Sequence, residues 1–135
     1  MRPPDVEQFA TEWIEAWNRH DLDAILSHYA DDVVFTSPFV VTLLGIPDGT
    51  VRGKAALRTY FAKGLAAYPA LHFESMRVLS GVDSVVLYYR SVKDLTAAEV
   101  MAFDDRGLIV RVQAHYTATD RGDGKVDNDR RARLF

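Results

Sequence analysis

The 135-residue chain contains no cysteine, which excludes disulfide bonds, thiol nucleophiles and thiolate metal ligands. It has no apolar run that approaches the length of a membrane span, and its first residues lack a secretory signal pattern. The net charge is -3, and Lys and Arg are not clustered, so the sequence offers no footprint for nucleic acid or an anionic membrane. We therefore expect a cytoplasmic protein that binds neither.

Motifs for metal and nucleotide chemistry are also lacking. The four histidines are scattered, and no two have the spacing of metal ligands. The acidic segment 120–129 departs from a calcium loop at Gly122 and Gly124, which stand at ligand positions. Neither a G-x-S-x-G motif nor a glycine-rich phosphate loop occurs. The sequence predicts no metal site and no cofactor.

Hydrophobic residues make up 48% of the chain, which suits one globular domain with a substantial core. The spacing of apolar residues predicts three helices: one after Asp5, one over residues 22–29 and one over residues 53–68. Asp5 and Asp21 suit helix starts, because a carboxylate can accept the free backbone N–H groups of a first turn. Residues 33–37 are predicted as a strand that ends at Pro38, and residues 39–52 as a hairpin or lid loop.

The second half of the chain is strand-like. Segments 72–79, 84–92, 96–103 and 108–118 are separated by turn signals and indicate an antiparallel meander. Helices followed by a sheet predict an α+β fold. We interpret residues 1–118 as a single domain and residues 119–135, which are polar and of mixed charge, as a flexible tail that packs against a partner subunit.

The segment 17–38, WNRHDLDAILSHYADDVVFTSP, resembles the start of the nuclear transport factor 2-like superfamily, whose branches include SnoaL-like polyketide cyclases and ketosteroid isomerases. The resemblance extends over about residues 6–118. It implies a cone-shaped, curved antiparallel sheet wrapped around the three helices, with an apolar pocket at its wide end. It also implies a homodimer that pairs through the outer faces of the sheets.

The alternation of side chains along strands assigns residues to the two faces of this sheet. By similarity to ketosteroid isomerases, the pocket-facing residues of the last two strands are Glu99, Met101, Phe103, Val112, Ala114 and Tyr116. The outer, dimer-forming face then carries Arg111, Gln113 and His115. In the preceding strand, Tyr88 and Arg90 are assigned to the inner face.

The isomerase branch uses an aspartate base, with a tyrosine and a protonated aspartic acid as hydrogen-bond donors to the enolate. At the base position this chain has Ser37, whose hydroxyl is no base near neutral pH without an activator. At the tyrosine position it has Trp13, whose indole donates a hydrogen bond but no proton. Glu99 alone keeps the chemistry of the buried acid. The resemblance therefore implies the fold and pocket, not steroid isomerisation by that mechanism.

Two interpretations of Glu99 stay open. A buried carboxylate is costly unless it is paired or neutral. Glu99 is either half of a structural ion pair with Arg90 on the pocket floor, or a polar anchor for a ligand carbonyl or hydroxyl. Likewise, Trp13 and Trp17 either pack in the core or place an indole against the cavity.

The candidate site has a catalytic part, Glu99 with Arg90, and a ligand-binding part. The ligand-binding part comprises Trp13, Trp17, Phe35, Ser37, Phe39, Phe61, Tyr88, Met101 and Tyr116. If the protein is an enzyme, we expect metal-free proton transfer of the isomerase, cyclase or dehydratase type on a compact apolar or aromatic ligand. The alternative is a non-catalytic, dimeric ligand-binding or protein-interaction module.

Overall fold

The computed structural model describes residues 5–117, and the predicted tail of residues 119–135 lies outside them. The helices are α1 (Val6–Asn18), α2 (Leu22–Leu26), α3 (Pro38–Leu44) and α4 (Lys54–Ala67). The strands are β1 (Tyr29–Thr36), β2 (Thr50–Arg52), β3 (Glu74–Ser80), β4 (Ser84–Arg90), β5 (Thr96–Phe103) and β6 (Ile109–Tyr116). A 3-10 turn over Val92–Asp94 joins β4 to β5. None of the described helices is long and apolar enough to cross a membrane.

Helix α1 begins where the sequence predicts. The carboxylate of Asp5 accepts a hydrogen bond from the Glu7 N–H at 2.9 Å, which pairs one of the free donors of the first turn. At the other end, the Asn18 side chain donates to the Phe73 carbonyl oxygen at 2.9 Å and accepts from the Phe73 N–H at 2.7 Å. These two bonds fasten α1 to the segment before β3.

The next two elements differ from the prediction in where they meet. Asp21 caps α2 by accepting from the Ala24 N–H at 3.1 Å, but the helix ends at Leu26 because Tyr29 already begins β1. The first strand therefore starts four residues before the predicted Val33. Asp31 and Asp32 are exposed strand residues at an irregularity in the pairing with β6.

The prediction of a hairpin or lid loop over residues 39–52 is wrong for its first half, which is helix α3. Ser37 caps this helix by accepting from the Phe39 N–H at 3.2 Å, Pro38 occupies its first turn, and Gly45 ends it with a φ of 69°. A turn at residues 47–48 then leads into the short strand β2.

The six strands form one sheet in the order β2-β1-β6-β5-β4-β3. Strand β1 pairs with β6 in parallel, and all the other neighbours are antiparallel. The α+β class is confirmed, whereas the predicted antiparallel sheet is a mixed one and the described residues form four helices rather than three. A parallel pair needs a long crossover connection, and here the elements from α3 to β5 lie between β1 and β6.

The two faces of the central strands differ sharply in burial. In β5, Ala97, Glu99, Met101 and Phe103 are buried, while Val100 is 38% exposed. In β6, Val112 and Ala114 are buried, and Arg111, Gln113 and His115 face solvent. The predicted faces of β5 and β6 are therefore correct. The buried face packs on α1 and α4 and forms an aromatic core.

Candidate functional site

A pocket lies between the buried face of the sheet and helices α1, α3 and α4. About 60 Å³ of it can be occupied by the centre of a water molecule, and the total empty space, with the mouth open to solvent included, is about 500 Å³. Its walls are mostly aromatic and aliphatic side chains, and the lining residues are Trp17, Phe35, Phe39, Leu43, Tyr60, Phe61, Gly64, Tyr68, Leu71, Phe73, Tyr89, Ser91, Val92, Glu99 and Tyr116. Such concave, largely apolar sites with a few polar groups are typical of small-molecule binding.

Glu99 brings a carboxyl group to this apolar wall. Its place in the middle of β5 puts it opposite Leu87 of β4 and Ala114 of β6, on the buried side of the sheet. The residue is 3% exposed, and its carboxylate accepts a hydrogen bond from the Tyr89 hydroxyl. The structure thus pairs Glu99 with a neutral donor from the adjacent strand.

Burial controls the acidity of this group. Loss of hydration raises the pKa of Glu99 to about 7, and the hydrogen bond from Tyr89 acts in the opposite direction. At neutral pH the carboxyl group therefore populates both its protonated and its ionised form, which suits a group that both accepts and donates a proton.

Several tyrosine hydroxyls surround Glu99. Burial is the main cause that raises the pKa of Tyr29, Tyr60, Tyr89 and Tyr116, and the nearby charge of Glu99 raises each of them further. These side chains are therefore neutral at ordinary pH, and the hydroxyl of Tyr89 donates its proton to Glu99. Three of them, Tyr60, Tyr89 and Tyr116, line the pocket.

Ser37 lies behind this polar cluster. The residue is 1% exposed, its hydroxyl caps α3, and the proximity of that hydroxyl lowers the pKa of Tyr60 and Tyr116 against the larger effect of burial. Ser37 does not line the pocket. Its place in ligand binding therefore stays a prediction, while its hydroxyl serves the backbone as the cap of α3.

The two tryptophans of α1 occupy different environments. Trp13 is 1% exposed, and its Nε1 donates to the Tyr29 hydroxyl at 3.0 Å, so it is a core residue beneath the pocket. Trp17 lines the pocket and packs edge-to-face on Phe61, with ring centroids 4.7 Å apart. Both interpretations of the pair therefore apply, one to each residue.

Arg90 and Tyr88 lie on the opposite side of the sheet from the predicted one. Arg90 is an exposed residue whose guanidinium bonds the Asp94 carboxylate at 2.7 Å, and Tyr88 is 37% exposed. The prediction that Arg90 lies beside Glu99 is wrong. The register explains the error, because residues opposite each other share a face and the partner of Glu99 is Leu87, which leaves the alternate residues outside.

The structure gathers six of the predicted residues at the pocket wall: Glu99, Trp17, Phe35, Phe39, Phe61 and Tyr116. Met101 is buried without lining it. The most consequential residue that the sequence analysis missed is Tyr89, the hydrogen-bond donor to Glu99. The register of the β4–β5 hairpin was the signal that could have identified it, since the pairing of Leu87 with Glu99 also turns Tyr89 to the buried face.

Residues 5–117 contain no group of three or more His, Asp or Glu side chains that could hold a metal ion. The polar side-chain groups of the lining, as far as the structure describes it, are one carboxyl group, several hydroxyl groups and the indole N–H of Trp17.

Comparison with known proteins agrees with this architecture. Residues 10–128 match the model of the SnoaL-like domain. A SnoaL-like protein of unknown function from Burkholderia thailandensis is 47% identical, with a TM-score of 0.81 over 84% of this chain and 94% of that one. No curated protein matches the chain at a significant level.

Two more distant structures share the fold. A protein from Kribbella flavida, provisionally assigned as a ketosteroid isomerase, is 16% identical with a TM-score of 0.67, over 89% of this chain and 83% of that one. SalBIII is an epoxide hydrolase/cyclase-like enzyme in pyran ring formation in the polyether salinomycin. It is 20% identical with a TM-score of 0.67, over 84% of this chain and 92% of that one. On the strength of the domain match and the 47% identical relative, the chain belongs to the SnoaL-like domain family.

Proposed function

We propose that the protein binds a compact apolar or aromatic small molecule around Glu99 and transfers a proton on it, as an isomerase, cyclase or dehydratase does. One observation carries this proposal. A carboxyl group, 3% exposed and with its pKa raised to about 7, stands in the wall of an aromatic pocket with a tyrosine as its hydrogen-bond partner. A buried, perturbed carboxyl group in a cleft is a candidate acid–base group on physical grounds.

The pKa of Glu99 suits a reaction in which a proton is taken from one atom and returned to another. The ionised carboxylate removes a proton from an acidic C–H or O–H of the ligand and becomes the neutral acid. The neutral acid then returns that proton at a second position, so atoms and charge balance without a co-reactant. A group whose pKa lies near the working pH performs both steps efficiently.

The pocket lining supports a ligand with an apolar body and few polar groups. Aromatic side chains such as Trp17, Phe61 and Phe73 provide most of the contact area. Tyr60 of α4 and Tyr116 of β6 add neutral hydroxyl groups to the lining. The cyclase-like SalBIII and the Kribbella flavida protein assigned as a ketosteroid isomerase are consistent with this chemistry, although at 20% and 16% identity they inform only the fold.

The first test is a thermal-shift screen followed by isotope exchange. Ketosteroids, aromatic ketones and terpenoid ketones are added to the protein, because a ligand that binds only the folded state raises Tm. Each ketone that binds is then incubated with the protein in D2O, and the loss of its α-proton signals is followed by 1H NMR. We expect exchange to be at least about 100-fold faster with the wild type than with Glu99→Gln.

The matched control is Glu74→Gln, an exposed carboxyl on β3 that lies outside the pocket. This variant should exchange the ketone at the wild-type rate. Exchange by Glu99→Gln at the wild-type rate would refute the role of Glu99 as the acid–base group, and binding without any exchange would reduce the proposal to ligand binding.

A second candidate function, a dimeric interaction module, is favoured by the outer face of the sheet. Leu79, Val86 and Val100 are paired across β3, β4 and β5 and form an apolar row, in which Leu79 is 53% and Val100 38% exposed. We propose that a second copy of the chain covers this row, beside Arg111, Gln113 and His115. Sedimentation should then show a dimer for the wild type and a monomer for Val100→Arg. Val82→Arg, in the exposed β3–β4 turn, is the control.

A further inference from the structure

The indole N–H groups of Trp13 and Trp17 differ in a way that their shared helix does not suggest. The two side chains lie four residues apart on the buried face of α1. The Nε1 of Trp13 donates to the Tyr29 hydroxyl at 3.0 Å. The Nε1 of Trp17 is buried and has no hydrogen-bond partner among residues 5–117.

A buried donor without an acceptor is uncommon in folded proteins and costs free energy, because the group has lost its water without replacement. The ring neighbours of Trp17 are Phe61 at 4.7 Å, Phe73 at 5.4 Å and Trp13 at 6.0 Å between centroids. An aromatic face is at best a weak acceptor for an N–H group. The protein therefore carries an unsatisfied donor within a side chain that lines the pocket.

We propose that the Trp17 Nε1–H is the hydrogen-bond donor to the ligand, and that the ligand presents a neutral carbonyl oxygen to it. This inference rests on the proposed function, since it places the polar end of the ligand in the pocket of Glu99. A carbonyl oxygen at Trp17 restores the missing hydrogen bond. The same ligand can then hold an acidic C–H or O–H group towards Glu99.

The charges of the lining residues indicate whether the ligand oxygen at Trp17 is neutral or anionic. Among the described lining residues there is no Lys, Arg or His, and Glu99 is the ionisable acid. A ligand carboxylate would lose its water and meet Glu99 without a cation to compensate, which is strongly unfavourable. The structure therefore favours ketones, esters and other neutral carbonyl compounds over carboxylic acids.

Three probes of similar size test the inference: acetophenone, α-methylstyrene and benzoate. α-Methylstyrene replaces the carbonyl oxygen of acetophenone with a methylene group, and benzoate replaces its methyl group with an anionic oxygen. The sequence has two tryptophans, so a 1H–15N spectrum of the labelled protein shows two indole signals. Contacts of the indole proton with Phe61 in the nuclear Overhauser spectrum assign the Trp17 signal without a variant.

We expect acetophenone to move the Trp17 indole proton downfield, while the Trp13 proton, already bonded to Tyr29, stays in place and serves as the internal control. Acetophenone should bind about tenfold more tightly than α-methylstyrene, the factor typical of one neutral hydrogen bond. In Trp17→Phe this ratio should fall to about one. Benzoate at pH 8 should not bind.

The possible failures are distinguishable. If acetophenone and α-methylstyrene bind equally and move the Trp17 signal equally, the role of Trp17 is refuted while the pocket stands. If benzoate binds as well as acetophenone, the neutral-carbonyl class is wrong. If no probe moves any signal of the pocket residues, the proposed function fails, and the inference fails with it.

Discussion

The inner and outer faces of β4 and β5 are built from alternate residues of the same two strands, yet they have opposite properties. Inside, Leu87, Tyr89 and Glu99 are each at most 3% exposed. Outside, Tyr88 is 37% and Val100 is 38% exposed, and Arg90 pairs with Asp94 in solvent. Two adjacent tyrosines, 88 and 89, thus have different roles. The parity of a strand residue, not its type, decides whether it can act on a ligand.

The largest expected difference between the faces is in stability. Leu87→Ala removes a side chain that is 2% exposed and leaves a cavity in the core, so the free energy of unfolding should fall by about 2–5 kcal/mol. Leu79→Ala, on the outer face and 53% exposed, should change it by less than about 0.5 kcal/mol when both substitutions are made in the Val100→Arg background, which keeps the protein monomeric. Urea denaturation measures both values. Equal losses would contradict the assignment of the faces.

The second prediction concerns Glu99 and pH. Its pKa is raised from 4.5 to about 7 in the folded protein, so between these values the folded state holds a proton that the unfolded state has released. The free energy of unfolding therefore decreases as the pH rises from about 4.5 to 7, by about 3 kcal/mol in total, and levels off above.

Glu99→Gln removes this proton linkage. The free energy of unfolding of the variant minus that of the wild type should therefore be larger at pH 9 than at pH 4.5. The increase should be about 3 kcal/mol, the size of the lost linkage. Denaturation curves over the pH series measure the effect, and Glu74→Gln, which alters an exposed carboxyl of β3, provides the baseline. Parallel pH profiles for the wild type and Glu99→Gln would contradict a raised pKa.

A smaller effect separates the two adjacent tyrosines. The hydroxyl of Tyr89 donates to Glu99 and opposes the rise of its pKa, so Tyr89→Phe should raise the pKa of Glu99 further, by about one unit. Tyr88→Phe removes the same hydroxyl from the outer face and should leave that pKa unchanged. Titration of the carboxyl carbon by 13C NMR measures both. A downward shift in Tyr89→Phe would mean that the hydroxyl does not stabilise the ionised form.

The fold could be predicted largely from local patterns. Neighbouring residues alone indicate the helix start at Asp5, the apolar stripe of α1 and the turn-separated strands of the second half. A single sequence contains this local information. Helix α3 was missed because its signals, Ser37 and Pro38, also end a strand, and the residues after them are apolar without helical periodicity. The parallel pairing of β1 with β6 joins distant segments and leaves no local trace.

The site was predicted only in part, for a related reason. In β6 the outer residues Arg111, Gln113 and His115 are clearly polar, whereas the inward direction of Glu99 in β5 was implied by the resemblance to ketosteroid isomerases. In β4 the sequence Val85, Val86, Leu87, Tyr88, Tyr89 is similar on both faces, and the register with β5 alone determines which tyrosine is inside. A register slip in the β4–β5 hairpin placed Arg90 and Tyr88 in the predicted site in place of Tyr89.

The smallest expected effect tests this slip directly. Arg90→Gln removes a guanidinium that is exposed and bonded to Asp94 at 2.7 Å, on the face opposite Glu99. Solvated ion pairs contribute little, and water and salt screen their charge from the other side of the sheet. We therefore expect unchanged Tm, unchanged ligand binding and an unchanged pKa of Glu99 in the 13C titration, with Asp94→Asn as the matched control.

If Arg90 did face Glu99, its removal would raise that pKa by about one unit or more, because a neighbouring cation favours the ionised carboxylate. A flat result in Arg90→Gln beside a clear shift in Tyr89→Phe would assign the acidity of Glu99 to the inner face alone.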